Sequence, residues 1–294
     1  MKLYEALLKD HSDSTLAPKV QGELAELNLD KSAQDKIITD LSATLEKVKE
    51  ASLREELRYQ LASAHFKKGD YSSAAEQFDS LLEDYPESRF LASMHFQAGE
   101  SQLQLEEIEK AQGHFTEAAG IEGSPQSLVE SITMRLAETQ ALTGQHSEAA
   151  ASYQTFLEKF PDSRWTRNAQ FGFAFATENG GGAAAALLEY AKILEEPKTD
   201  LWTVRSRFQT GSCQVTLKKS DQAVIEFVKV EISYPQYPKW QAQAVVEIGK
   251  ILLGQEKPEQ AKERFEEVLS RFAKEKAATA AKDLLESMKV SDAN

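Results

Sequence analysis

Residues 57–82 read LRYQLASAHFKKGDYSSAAEQFDSLL and contain one complete copy of the pattern that decides the fold. Apolar residues recur every three to five positions on both sides of Gly69, Asp70 and Tyr71. Helical spacing on either side of a glycine-containing interruption predicts two helices joined by a short turn. We therefore expect this stretch to form an antiparallel helical hairpin.

The same pattern returns along the chain at intervals of 37 or 38 residues. Each second helix carries an aromatic residue or leucine at one anchor position: Tyr4, Leu41, Phe78, Phe115, Tyr153, Tyr190, Phe227 and Phe265. Each first helix carries a small residue at one position: Ala25, Ala62, Gly99, Ala137, Ala174, Gly211 and Gly249. A larger side chain at a close helix contact would overpack it, so these positions predict close approach of two helices. The period predicts a repeat array of stacked hairpins.

The order of small residue, Gly-Asp-Tyr turn, alanine, aromatic anchor and proline resembles the tetratricopeptide repeat (TPR) over residues 2–272. The repeat here is longer than the usual unit of about 34 residues, and its extra residues follow the proline, as at Pro86 and Pro161. That variant is similar to bacterial envelope TPR proteins of the BamD and CpoB kind, which scaffold outer-membrane assembly or cell-wall synthesis. The resemblance implies an all-α, right-handed superhelical solenoid of antiparallel helix pairs with about seven repeats.

We expect one continuous array over residues 1–294. Residues 1–16 are predicted to form the second helix of a truncated repeat, residues 17–272 the repeats and residues 274–290 a capping helix. The apolar stripe of the capping helix is Ala277, Ala281, Leu284, Leu285 and Met288. Because Tyr4 lacks a first helix to pack against, we expect a signal peptide, lipid-attachment cysteine or further domain to precede Met1. The chain would then be periplasmic or envelope-associated, whereas a true start at Met1 would make it cytoplasmic.

Composition argues against several function classes. The chain has 47 acidic and 34 basic residues and a net charge of −13, so we expect no nucleic-acid binding. No apolar run reaches the roughly 20 residues that a transmembrane helix needs. Cys213 has no second cysteine to pair with and is predicted to be a buried packing thiol. No two of the five histidines show helical metal-site spacing, so neither a metal nor a cofactor is expected.

Catalytic motifs are missing from the sequence. It contains no Gly-x-Ser-x-Gly elbow, no phosphate-binding loop and no His-Glu-x-x-His pair. The abundant carboxylates, such as Glu55 and Glu56, are typical of solvated helix faces. We therefore predict that the chain is not an enzyme.

The resemblance places the concave surface of the array on the first helices. The residue three positions before the small residue points into that groove in TPR proteins. Here we call these residues, with two neighbours, the groove ladder: Tyr59, Phe96, Met134, Phe171, Phe175, Arg205, Phe208 and Val246. We expect Phe171, Phe175 and Phe208 to cluster near Arg205 and to form a binding hot spot. An equally weighted alternative is that the ladder merely packs against neighbouring first helices.

The ladder also indicates what kind of partner to expect. TPR domains that grip the acidic tails of Hsp70 and Hsp90 chaperones use Lys, Arg and Asn, and here only Arg205, Lys250 and Asn168 match, in three different repeats. An apolar groove rimmed by acids instead favours an amphipathic helix or an extended segment with basic flanks.

Three functions follow from these features. The first is a non-enzymatic scaffold that binds a protein or peptide segment in its groove, in cell-envelope assembly. The second is a targeting or regulatory arm of a larger enzyme whose catalytic domain lies outside this chain. The third is a self-assembling structural array, which would make the chain a homo-oligomer.

Overall fold

The computed structural model describes the backbone of residues 17–196 and 198–292 and the side chains of residues 31–196 and 198–289. These residues form helices and short connections, with no strand among them. The predicted helix over residues 1–16, including its anchor Tyr4, lies outside the described residues.

Fourteen helices follow one another in the described part of the chain. They are α1 (Ala17–Leu45), α2 (Ala51–Lys68), α3 (Tyr71–Asp84), α4 (Leu91–Gln104), α5 (Ile108–Ala119), α6 (Gln126–Leu142), α7 (His146–Lys159), α8 (Thr166–Asn179), α9 (Ala183–Glu195), α10 (Leu201–Thr216), α11 (Ser220–Ser233), α12 (Pro238–Gly254), α13 (Pro258–Arg271) and α14 (Ala277–Asp292). From α2 to α13, two or three residues join the helices of each pair and four to six link successive pairs. Such short connections and the packing between the helices make five of these pairs antiparallel hairpins, as predicted: α2–α3, α4–α5, α8–α9, α10–α11 and α12–α13.

The chain forms two compact units, one ending at Thr139 and the other beginning at Gln140. Consecutive helices pack together from α1 to α5 in the first unit and from α7 to α14 in the second. First helices also contact each other, α2 with α4 in the first unit, and α8 with α10 and α10 with α12 in the second. Each unit therefore presents a layer of first helices. The single continuous array over residues 1–294 stays a prediction.

The small residues and the anchors meet inside the hairpins, as the sequence predicts. A β-carbon built on Gly99 would lie 2.7 Å from Cε1 of Phe115, and one on Gly211 would lie 2.7 Å from Cε1 of Phe227. Both phenylalanines are completely buried. The anchor ring thus occupies the space that a side chain on the first helix would need, which explains the small residues.

The short turn within each of the six helix pairs from α2 to α13 contains one residue with a left-handed backbone. These residues are Gly69, Glu106, Gly144, Gly181, Lys218 and Glu256, again 37 or 38 positions apart. In the first of these turns, the N–H of Asp70 donates to the carbonyl of His65 at 2.9 Å, which closes a Schellman motif. In the last of these turns Gly254 ends α12, and Glu256 takes the left-handed conformation.

The structure differs from the prediction in the first repeat. Residues 17–45 were expected to contain a hairpin with Ala25 on its first helix and Leu41 on its second, but they form the single helix α1. The physical reason is the missing turn signal, because no glycine or proline occurs between Glu23 and Leu45. One long helix therefore precedes the hairpins in the described residues.

The C-terminal helix α14 packs against α12 and α13. Its residue Ala281 is fully buried, and Ala277, Leu284, Leu285 and Met288 are partly buried against the same core cluster. Across all described residues, the helices are too short or too polar to cross a bilayer.

Candidate functional site

The structure sorts the eight residues of the groove ladder into two groups. Met134, Phe171 and Val246 are buried, with 3%, 3% and 4% of their surface exposed. The other five are half-buried: Tyr59, Phe96, Phe175, Arg205 and Phe208. Only this second group keeps a surface that a partner could touch.

Most of the ladder rings are held by packing contacts on two sides. On one side each ring meets the anchor of its own hairpin, with centroid separations of 5.9 Å for Tyr59 and Phe78, 5.9 Å for Phe96 and Phe115, 5.8 Å for Phe171 and Tyr190, and 5.2 Å for Phe208 and Phe227. On the other side, three of them meet an aromatic ring at the start of the next first helix. These covering rings are Phe90 on Tyr59 at 5.1 Å, Trp202 on Phe171 at 5.6 Å and Trp240 on Phe208 at 5.2 Å. The contacts support the alternative that the ladder serves packing between repeats.

In the first unit, Tyr59 borders an open cavity of about 470 Å³. Residues of α1, α2 and α4 line it, among them Ile37, Leu41 and Ser63. The Tyr59 hydroxyl accepts a hydrogen bond from Gln97 Nε2, and Gln97 Oε1 accepts one from the Ser63 hydroxyl at 2.9 Å. Burial raises the pKa of Tyr59, so its hydroxyl stays protonated. This cavity offers an apolar wall with a fixed polar rim.

In the second unit, aromatic rings from three consecutive first helices surround one arginine. The guanidinium carbon of Arg205 on α10 lies 4.1 Å from the ring centre of Phe171, 5.2 Å from Trp202 and 5.9 Å from Trp240. We call these four residues the arginine box. Cation over ring is a favourable electrostatic arrangement, and it strengthens as the cation loses water.

Two further ladder residues adjoin the arginine box. Phe175 stacks on Phe171 with centroids 5.7 Å apart and planes 17° apart, and Phe208 packs on Trp240. The structure therefore brings together Phe171, Phe175 and Arg205 directly, and Phe208 through Trp240. All of them lie on the first-helix layer of the second unit.

The guanidinium of Arg205 has no hydrogen bond and no ion pair within the described part of the chain. Its Nε atom is buried and lacks a hydrogen-bond partner. Burial lowers the pKa of Arg205 below its ordinary value, with Tyr190 and Tyr153 acting in the opposite direction. The side chain nevertheless remains a cation at neutral pH, because an arginine ordinarily titrates far above that range.

Tyr190, Glu178 and Cys213 form a polar trio next to the box, and Tyr190 and Cys213 are buried. The Tyr190 hydroxyl donates to Glu178 Oε2 at 2.7 Å. Burial raises the pKa of Glu178, and the hydroxyl of Tyr190 and the thiol of Cys213 act against this by hydrogen bonding. Burial also raises the pKa of Cys213 to about 12. Cys213 is therefore a protonated packing thiol, as the sequence predicts.

The sequence analysis missed the two tryptophans of the arginine box. A signal was present, because all three tryptophans of the chain, Trp165, Trp202 and Trp240, occur at the repeat period of 37 and 38 residues. This register lies at the start of the first helices, outside the positions chosen for the groove ladder.

Two of the five histidines meet between α4 and α5. Nδ1 of His95 on α4 lies 3.3 Å from Nδ1 of His114 on α5, and Nε2 of His114 lies 3.3 Å from Asp79. Burial first and His114 second lower the pKa of His95. Among the described residues, no group of three or more potential ligands is arranged to hold a metal ion.

The comparisons place this architecture in a family. The sequence model of the YfiO family, described as "Outer membrane lipoprotein", matches residues 18–179, which is more than half of the chain. The chain belongs to the YfiO family. No curated protein matches it.

Solved structures of low sequence identity share its fold. A tetratricopeptide repeat protein from Parabacteroides merdae is 19% identical with a TM-score of 0.54, covering 97% of this chain and 98% of its own. The apo form of the quorum sensor NprR from B. thuringiensis is 18% identical with a TM-score of 0.62, and the match covers 94% of this chain and 82% of the NprR chain. The C-terminal part of a TPR protein from Cytophaga hutchinsonii is 11% identical with a TM-score of 0.58, covering 87% and 98%. This YfiO-family chain therefore has a TPR-like fold, as predicted.

Proposed function

We propose that the chain is a non-enzymatic scaffold that binds a segment of a protein partner on the first-helix layer of its second unit. The observation that carries this proposal is the pairing of Phe175, Phe208 and Arg205, which keep exposed surface, with buried rings that hold them in place. Rigid aromatic and arginine side chains on such a surface are the usual anchors of binding energy. Because their rings are already packed, little side-chain entropy is lost when a partner binds.

The partner segment that suits this surface is apolar with basic flanks, and it is either an amphipathic helix or an extended stretch. The net charge of −13 favours basic flanks at long range, while the rings favour apolar side chains in contact. The family description as an outer membrane lipoprotein supports a role in cell-envelope assembly.

A peptide selection tests the binding function. We would pan the full chain against a phage-displayed library of random peptides and synthesise the enriched sequences. Binding is then measured for the wild type, for Phe175→Ser and for Phe208→Ser, with circular dichroism to check folding. Ile225→Ser is the matched control, because Ile225 is an exposed apolar residue on the second helix α11.

The expected result is a set of apolar, basic-flanked peptides whose binding weakens in both phenylalanine variants and is unchanged in Ile225→Ser. Failure to enrich any peptide, or equal binding to folded forms of all three variants, would rule out this surface. Cell fractionation with the tagged protein tests the envelope role separately, and recovery away from the envelope would contradict it.

A further inference from the structure

Arg205 differs from the other half-buried arginines of its unit in having no counter-charge. Arg167 Nε lies 2.7 Å from Asp200, and Arg207 Nη1 lies 2.8 Å from Glu226. Arg264 pairs with Glu267, also at 2.7 Å. In the described part of the second unit, only the half-buried guanidinium of Arg205 lacks both an ion pair and a hydrogen bond. A buried cation without these partners is an unfavourable arrangement unless something else supplies them.

The three rings of the arginine box only partly meet this need. Their centres lie 4.1 to 5.9 Å from the guanidinium carbon, whereas the N–H groups of a guanidinium need oxygen acceptors. Phe171 has no acceptor at all, and the Trp202 and Trp240 indoles carry N–H donors only. The buried Nε of Arg205 therefore has no acceptor among the described residues, although aromatic rings surround the guanidinium.

We propose that the arginine box is a receptor for a carboxylate of the bound protein segment. The proposal rests on the proposed function and adds the chemistry of one contact. A carboxylate matches the planar fork of a guanidinium with two parallel hydrogen bonds, and its charge balances that of Arg205. The half-buried Trp202 and Trp240 would cover the apolar part of the residue that carries it.

Charge favours a carboxylate over a phosphate. The box holds one cation, so one carboxylate neutralises it, whereas a phosphate brings about −1.5 to −2 charges. The chain as a whole is strongly acidic, which disfavours a more highly charged anion near it. The carboxylate could belong to an aspartate or glutamate side chain or to a chain terminus, and the experiment separates these two sources.

The family match does not include this site. It ends at residue 179, so Trp202, Arg205 and Trp240 all lie beyond it. Phe171 alone falls within the matched residues.

The test uses the selected peptides and the full chain. Each peptide is synthesised with its acidic residues changed one at a time to the corresponding amide, and separately with its C-terminus amidated. Binding by calorimetry is compared between the wild type and Arg205→Met, which keeps an apolar stem among the rings. Arg164→Met is the control, because Arg164 is an exposed arginine whose guanidinium carbon lies 4.8 Å from the ring centre of Trp165 in the same unit.

We expect one amide change to weaken binding to the wild type by about tenfold or more, as a lost charged hydrogen bond would. The same change should have almost no effect on binding to Arg205→Met, and Arg164→Met should behave as the wild type. The peptide position that shows this coupling identifies a side-chain or a terminal carboxylate.

Two results would overturn the proposal while leaving the proposed function intact. One is a peptide that needs Phe208 but binds Arg205→Met as tightly as the wild type. The other is a loss of binding with no difference between acid and amide peptides, since Arg205 would then act only by packing. Arg205→Lys serves if the methionine variant fails to fold, because lysine keeps the charge but cannot form the two parallel bonds.

Discussion

The edge of the Phe265 ring lies directly against the backbone of Gly249, so that a β-carbon on Gly249 would be 2.4 Å from Cε1 of the ring. Phe265 is fully buried on α13, and Gly249 lies on α12 of the same hairpin. The ring therefore cannot move away without disturbing the core.

Gly249→Ala should destabilise the second unit by about 1–3 kcal/mol, the usual effect of overpacking a core. Gly254→Ala is the matched control, because Gly254 is on the same helix and a β-carbon there would meet nothing within 4 Å. Gly254→Ala should stabilise the second unit slightly, because alanine has a better helix propensity than glycine. Urea unfolding followed by circular dichroism measures both, and equal stability of the two variants would contradict the contact.

Glu256→Gly should increase stability by about 1 kcal/mol, because Glu256 has a φ of 58° and a side chain disfavours this left-handed conformation. The control is Gly69→Ala, where φ is 84° and we expect a loss of similar size. Thermal unfolding measures both changes. A decrease in melting temperature for Glu256→Gly would show that the glutamate side chain contributes contacts that outweigh the strain.

These two predictions also show what the sequence reveals and what it hides. The contact of Gly249 with Phe265 was predictable, because a small residue and an anchor recur at a fixed separation. The long helix α1 was not predicted, since the repeat period continues through residues that lack a turn signal. The burial of Phe171 was also hidden, because the ring that covers it, Trp202, belongs to the next repeat. Which ladder residues keep exposed surface depends on such neighbours and not on their own spacing.

Glu178→Gln should stabilise the second unit at neutral pH and remove part of its pH dependence. Burial raises the pKa of Glu178 in the folded state, so its contribution is favourable below the ordinary carboxyl pKa of 4.5 and is lost as pH rises through the raised value. Glutamine still accepts the Tyr190 hydroxyl and carries no charge. Unfolding at several pH values should show that the free energy of unfolding of the variant increases relative to that of the wild type as pH rises. A constant difference across the range would mean that Glu178 does not titrate in this way.

His95→Gln should make the first unit less sensitive to acid. The pKa of His95 is lowered from 6.5, chiefly by burial, so its stabilising contribution is complete above the ordinary value and is lost as pH falls below it. His114 also opposes its protonation, while Glu117 and Asp79 favour it. We would compare unfolding near pH 7.5 with unfolding near pH 5.5. His146→Gln, in the second unit, is the control and should retain the acid sensitivity of the wild type in the first unit.

The covering rings give the second unit a direction. Because Phe171 is covered by Trp202 and Phe208 by Trp240, the repeats that begin with α8 and α10 each depend on the next repeat to shield a ladder ring. Unfolding of α12 would therefore expose the ring of Phe208, whereas unfolding of α8 would leave that ring covered by Trp240. Within the second unit, unfolding that begins at the C-terminal side should spread toward the N-terminus more readily than unfolding that begins at the N-terminal side spreads toward the C-terminus. Hydrogen exchange should accordingly show that amide protection is lost first at the C-terminal side of the second unit and last at its N-terminal side.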